Sequence, residues 1–375
     1  MKFSTPVISL IVFVIIPVFG SPVIADEVIG DYTLQSGHSS LQEWLLPDVP
    51  PYPDDNEPNS HRVALGKMLF FDPRLSGDGN ISCATCHNPM LGWSDGQALS
   101  LGSKGKVLKR ASPTITNTAF NTIQMWDGRN KTLEEQAIGP LESDVEMNMD
   151  FKSLFIWLRN NGQYSAAFDL AYPEQEINKD TLSKAIASFE RTIISNNSPF
   201  DRWIKGDQKA MTAQQIRGFK VFLDEEKGNC VACHQAPNFT DNGFHNLGLT
   251  SYKDESPDLG RYEHKPIGLM KGAFKTPTLR DVANTAPYFH DGSSENLTQV
   301  MEHYTSGGLV KDNVSPNMKS LDLTKQEIAE LVEFMHALTS YPQMLVLPTI
   351  PSGSVAAVQR HDVTTDKNKL TSISE

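Results

Sequence analysis

Apolar residues recur at helical spacing in six stretches of this 375-residue chain. The pattern predicts helices over Leu133–Ile138, Phe151–Asn160, Lys179–Ile194, Thr212–Leu223, Leu297–Tyr304 and Thr324–Leu338. Thr212 and Thr324 stand where N-caps would, each followed three residues on by Gln215 or Glu327, so that cap and third residue can satisfy each other's free backbone groups. Between the helices run Gly-, Pro- and Asn-rich stretches: Ser76–Asn80, Gly102–Thr114 and Asn238–Thr276. Irregular backbone of this kind suits a chain wrapped around a cofactor whose faces supply apolar core. Pro47–Pro58 reads as an extended lead, and the tail from Pro348 to Glu375, poor in large apolar residues, reads as disordered. The fold expected is mainly α.

The first residues carry a separate signal. Lys2 precedes an apolar run from Val7 to Phe19, and Val23-Ile24-Ala25 offers small residues for cleavage before Asp26. Residues 1–25 read as a secretory signal peptide, the run being short for a spanning helix, with an uncleaved anchor as the alternative. No stable membrane insertion is expected of the mature chain.

All four cysteines fall in two copies of one pentapeptide, Cys83-Ala-Thr-Cys86-His87 and Cys230-Val-Ala-Cys233-His234. Cys-x-x-Cys-His is the attachment site of a c-type haem. The two thiols add across the two vinyl groups of a porphyrin, and the adjacent imidazole becomes the proximal iron ligand. A four-cysteine zinc site is the competing reading. It needs no histidine after either pair, and the pairs lie 147 residues apart (230 minus 83), far beyond ribbon spacing. Haem attachment outside the inner membrane agrees with the signal peptide and points to a periplasmic protein.

Two motifs imply an old duplication, with one cytochrome c-like domain per haem. The layout expected is an N-terminal extension over 26–60, a haem 1 domain over 61–198, a haem 2 domain over 199–345 and the tail over 346–375, the boundary falling near Asn196–Asp201. A net charge of −12 argues against nucleic acid and anionic lipid as partners, and leaves room for a basic protein.

Longer motifs surround the haem sites. Leu65-Gly66-Lys67 and Phe70-Phe71-Asp72-Pro73-Arg74-Leu75-Ser76 lead into the first. Gln124-Met125-Trp126-Asp127-Gly128-Arg129, Leu133-Glu134-Glu135-Gln136-Ala137, Gly139-Pro140 and Val145-Glu146-Met147 follow it. Phe274-Lys275-Thr276-Pro277-Thr278-Leu279-Arg280 and Ala286-Pro287-Tyr288-Phe289-His290-Asp291-Gly292 follow the second. From about Leu65 to Leu338 the chain resembles the bacterial dihaem cytochrome c peroxidases and their relative MauG.

The resemblance implies roles. Haem 1, on His87, would bind hydrogen peroxide, and haem 2, on His234, would transfer electrons. Trp126 would carry electrons between them, Gln136 and Glu146 would be the polar residues of the peroxide pocket, and Pro140 would help shape it. The chemistry asks for the same types: a partly buried carboxylate can move a proton between the peroxide oxygens while an amide orients the molecule. Taken alone, Glu146 also suits a solvated loop and Trp126 a core aromatic.

Three departures from the peroxidase pattern bear on function. The histidine that blocks haem 1 in typical members, sixteen residues after the proximal one, is Ser103 here, and no histidine lies between His87 and His234. Haem 1 should therefore be five-coordinate, or hold only water, in the fully oxidised protein and need no reductive activation. The distal ligand of haem 2, usually methionine, falls at Tyr304, as in MauG, which would favour oxidised iron. Met301 and His303 are the alternatives, about 60 to 100° around the same helix. Family members also hold a calcium ion, whose carbonyl donors match Thr285 and Pro287. The usual asparagine falls at Ala111, leaving Asn117 or waters to compensate. His290 belongs to the family pattern at a haem propionate, whereas His245, His264, His303 and His336 read as surface or packing residues.

Three functions are compatible with these residues. One is a peroxidase fed by a small electron-donor protein, a cytochrome c or a cupredoxin. A second is a MauG-like enzyme that uses a high-valent dihaem state to oxidise a partner protein, for example in making a tryptophan-derived quinone cofactor. The third is a dihaem electron carrier, which an open haem 1 beside Gln136 and Glu146 argues against.

Overall fold

The computed structural model describes residues 27–341 and 344–353; the expected signal peptide lies outside them, as do residues 354–375. Ten helices are formed among the described residues. In the first half they are α1 (Ser60–Phe71), α2 (Cys83–Cys86), α3 (Leu133–Glu142), α4 (Phe151–Asn160), α5 (Gly162–Ala171) and α6 (Lys179–Glu190). In the second they are α7 (Pro199–Ile204), α8 (Ala213–Leu223), α9 (Leu297–Ser306) and α10 (Lys325–Ala337). Strands are confined to two hairpin-like pairs, β1 (Val28–Ile29) with β2 (Tyr32–Thr33), and β3 (Phe244–His245) with β4 (Phe274–Lys275). The capping boxes at Thr212 and Thr324 are both present, each threonine hydroxyl accepting from the backbone N–H three residues on.

Two hydrophobic cores organise the chain. One gathers Leu65, Leu69, Phe70, Leu182, Ile186 and Phe189 with residues up to Ile193, and the other joins residues from Phe200 to Leu338 with Leu41 and Trp44. The N-terminal extension is not a free lead: Leu41 and Trp44 are fully buried in the second core, Trp44 lying edge-on to Phe200 and Phe219. Part of the tail is also ordered, against expectation. The Arg74 guanidinium donates to the carbonyls of Pro351 and Gly353, and Ser352 is bonded to Asn161 and Gln163, which straps residues 351–353 onto the first core.

The halves repeat one plan. Asn117 and Asp281, 164 positions apart (281 minus 117), share φ 59° and ψ 16°, and each caps a short 3-10 turn, Thr118–Phe120 and Val282–Asn284. The same offset relates Met125 to Phe289, both at φ 71°, Gly128 to Gly292, and the bridge Gln124–Asn130 to Tyr288–Ser294. It also relates the caps Thr132 and Asn296, so α3 and α9 superpose residue for residue. Earlier in each half a glycine lets two helices touch: a Cβ on Gly66 would meet the Ala185 carbonyl oxygen at 1.8 Å, and one on Gly218 the Glu330 carbonyl oxygen at 1.9 Å. Gly218→Ala must therefore push α8 off α10. Overpacking of this kind costs about 1–3 kcal/mol, and thermal unfolding of the haem-loaded protein should show the corresponding fall in Tm.

The halves also reach into each other. The Lys275 N–H donates to the Trp126 carbonyl at 2.7 Å, and at the equivalent place the Ala111 N–H donates to the His290 carbonyl at 2.8 Å. This reciprocal pairing sets the loops that carry Trp126 and His290 between the two halves.

Candidate functional site: two haem cavities with a common wall

Each Cys-x-x-Cys-His motif opens onto a cavity. The first, of about 580 Å³, is lined by Cys83, Cys86 and His87 together with Trp126, Gln136, Pro140 and Glu146. The second, of about 450 Å³, is lined by Cys230, Cys233 and His234 together with Met301 and Tyr304. None of the four cysteines is in a disulfide. In both motifs the histidine Nδ1 is spent on a backbone carbonyl: His87 reaches Trp93 at 3.2 Å and His234 reaches Phe239 at 2.9 Å. The bond fixes the tautomer and leaves Nε2 as the ligand atom. Burial lowers both imidazole pKa values, which keeps that nitrogen unprotonated.

The residues fit two haems. Buried side-chain atoms with no protein partner concentrate on the first cavity, where Ser100 Oγ, Thr116 Oγ1 and Glu190 Oε2 all belong to its wall. Buried polar groups are ordinarily hydrogen-bonded, so such a cluster marks a place built for a further group. Glu190 carries its own prediction. Burial lifts its pKa from 4.5 to about 8, so the stability it contributes is full below about pH 4.5 and is lost as pH rises through the folded value. Glu190→Gln should flatten the decline of Tm between about pH 5 and pH 8 relative to the parent.

Gln136 projects from α3 and Glu146 from the loop behind it. No side-chain hydrogen bond to another described residue holds either one, so both polar ends remain free for a ligand. Burial raises the Glu146 carboxyl above the ordinary range, against the pull of Arg129 and Arg110. Those arginines are themselves held at the cavity wall: Arg110 forms two bonds to Asp258 and one to Asp127, which also accepts from Arg129. Ser103 is buried and turned out of the cavity, with its hydroxyl on Asp78. Its N–H donates to the carbonyls of Val145 and Glu146, so the loop where typical dihaem peroxidases carry a ligand here braces the Glu146 backbone instead.

Around the second cavity the three ligand candidates separate. His303 does not line it, because its Nε2 is engaged by the Leu247 carbonyl at 2.8 Å. Met301 and Tyr304 both do, and the Tyr304 hydroxyl bonds no other described residue. The duplication favours Tyr304, which takes in α9 the place that Pro140 takes in α3. One half thus presents a side chain with no donor atom where the other presents a phenol. Gln136 corresponds in the same way to Val300, so its amide has no counterpart in the second half.

Trp126 lines both cavities, its Nε1 donating to the Ala111 carbonyl at 2.9 Å. Two of the histidines expected at the surface or in packing, exposed His264 and packed His245, also border the cavities. His245 lines the haem 2 cavity, bonded to Asp241 and Ser315, and His264 lines the haem 1 cavity beside Asp127. Neither had a motif to mark it. Thr285 and Pro287 line the haem 1 cavity, Ala111 has no donor side chain, and both ends of the Asn117 amide are engaged by the Ser195 backbone.

Two buried haem sites with unlike distal sides, joined by a tryptophan, define a two-haem c-type redox protein. Residues 60–209 match the family model for di-haem cytochrome c peroxidase, and residues 215–339 match that for cytochrome c. The chain is 42% identical over 312 residues to a methylamine utilization protein MauG from Methylophilus methylotrophus, covering 83% of this chain and 92% of that one. It is 35% identical over 298 residues to a cytochrome c551 peroxidase from Nitrosomonas europaea, covering 79% and 85%. A solved MauG-like protein associated with microbial copper homeostasis superposes with a TM-score of 0.73 at 30% identity, over 79% of this chain and 95% of that one. The chain belongs to the dihaem cytochrome c peroxidase and MauG family.

Proposed function

We propose that this protein reduces hydrogen peroxide at haem 1 starting from its fully oxidised form, with electrons drawn from a protein partner by way of haem 2 and Trp126. The observation that carries the reading is the wall of the haem 1 cavity: Gln136 and Glu146 belong to it, and Ser103 is turned away from it. When bound, the haems supply the iron that takes up peroxide and passes electrons. The chain does the remaining work. The Glu146 carboxylate accepts a proton from the near oxygen of peroxide and returns it to the far one, so that water leaves. The Gln136 amide orients the molecule without competing for that proton. Two electrons and two protons convert one peroxide to two waters. The strongly acidic chain suits a basic electron donor, a small cytochrome c or cupredoxin meeting it in the periplasm.

Tyr304 favours a second reading. An oxygen donor at haem 2 suits a site that holds an oxidising equivalent, which would then be drawn from a side chain of a partner protein, as expected of a MauG-like enzyme. Both readings require the ferric protein to react directly. Stoichiometric peroxide mixed with the fully ferric protein, with no reductant, should change the Soret band within the first turnover. If nothing happens until one electron is supplied, haem 1 is blocked and the reading fails. A protein that never consumes peroxide would be an electron carrier.

A further inference from the structure

Among the described residues, the wall common to the two cavities holds a buried cation that no carboxylate bonds. Lys275 on β4 is 8% exposed and lines both cavities. The single hydrogen bond of its Nζ runs to the carbonyl of the next residue, Thr276, at 3.0 Å. Asp241, the carboxylate whose charge acts on Lys275, is instead paired with His245 at 2.9 Å. Other buried cations are matched: Arg280 with Asp201, Arg191 with Glu134, and Arg110 with Asp127 and Asp258. A buried ammonium is costly unless it is paired, so the group that belongs in these cavities must bring negative charge to Lys275. The duplication sharpens the point. Lys275 stands where the first half has Ala111, so a single charge serves two equivalent places.

We infer that Lys275 is the shared counter-cation of the haem propionates, one ammonium pairing with carboxylates of both haems at the wall that separates them. Two c-type haems satisfy its requirement, since each carries two carboxylates on the edge away from its thioether bonds. The Lys275 backbone is fixed by its bond to the Trp126 carbonyl, so the charge is tied to the residue that lines both cavities. A cation so placed stabilises the reduced, less positive state of both irons. The inference is independent of which substrate the protein oxidises.

Spectroelectrochemical titration of holoprotein carrying Lys275→Met tests it. Both midpoint potentials should fall and become more pH-dependent, because propionates without a counter-charge take up a proton. Lys275→Arg, which keeps the charge, should restore the parent values at both haems. Unchanged potentials in Lys275→Met, a change at one haem alone, or an equal change in the arginine variant would overturn the shared pairing. If the methionine variant does not mature, redox-difference infrared spectra of the parent decide. Ionised propionate bands that respond to oxidation of each haem support the pairing, and propionates protonated at neutral pH refute it.

Discussion

Replacing Tyr304 with methionine will raise the midpoint potential of haem 2, by on the order of a few tenths of a volt within the roughly 0.8 V that axial ligands span. The size follows from the exchange of donors. A phenolate oxygen stabilises oxidised iron, whereas a thioether favours the ferrous state. In the protein alone, burial raises the Tyr304 pKa, so the phenol is neutral, and a metal cation is the charge that reverses this. The Tyr304 hydroxyl is available because no described residue bonds it, and His303 is not available because Leu247 holds it. Met301 is the remaining rival on the same cavity wall, and a second variant separates the two. If Met301 were the ligand, Tyr304→Met would leave the redox titration and the peroxide-induced spectra unchanged, while Met301→Leu would lower the potential. With Tyr304 as ligand, Met301→Leu acts on packing and only Tyr304→Met moves the potential.

Much of this site was legible in the sequence because covalent chemistry and helix caps leave local marks. The two Cys-x-x-Cys-His motifs located both cavities, and threonine caps located the starts of α8 and α10. Helix α4 ends where its periodicity ends. What escaped was whatever depends on the other half of the molecule. Helix α1 has Leu65, Leu69 and Phe70 buried and Val63, Met68 and Phe71 packed at the edge of the same core, so no polar face marks its period. Trp44 lies in a short turn whose only signal is the second core around it. The sequence reading placed Tyr304 by family register. The paired Asp-Gly turns at Asp127-Gly128 and Asp291-Gly292 would have placed it from within the chain, since counting from them sets Tyr304 opposite Pro140.

That internal comparison also explains how one duplicated plan serves two unlike tasks. The backbone is repeated closely enough to reproduce left-handed residues at Met125 and Phe289, so the differences reside in side chains. Haem 1 receives Pro140 and Gln136, which leave room and offer an amide. The haem 2 cavity receives Tyr304 and Val300 at the same positions, which offer a phenol oxygen and an apolar wall. Each of these four residues lines one cavity alone, so a substitution there should act on one half and leave the other as an internal control.

Glu146→Gln applies that control to the chemistry and should slow peroxide consumption by roughly 10²–10⁴-fold. The glutamine keeps the shape and the hydrogen-bonding reach of the glutamate, and removes only the ability to take and return a proton. The pH profile gives an independent reading. The carboxyl must be ionised to accept the first proton, and burial raises its pKa, so the acid limb of activity should lie above the ordinary carboxylate range. Activity is then full above that raised value and falls as pH drops through it, and the limb should vanish in the glutamine variant. The haem 2 potential should not move, because Glu146 lines the haem 1 cavity alone. A rate within about a factor of two of the parent would remove Glu146 from proton transfer. A slow variant that kept the acid limb would assign the proton to another group and leave Glu146 to shape the pocket, with the loop that Ser103 braces as its support.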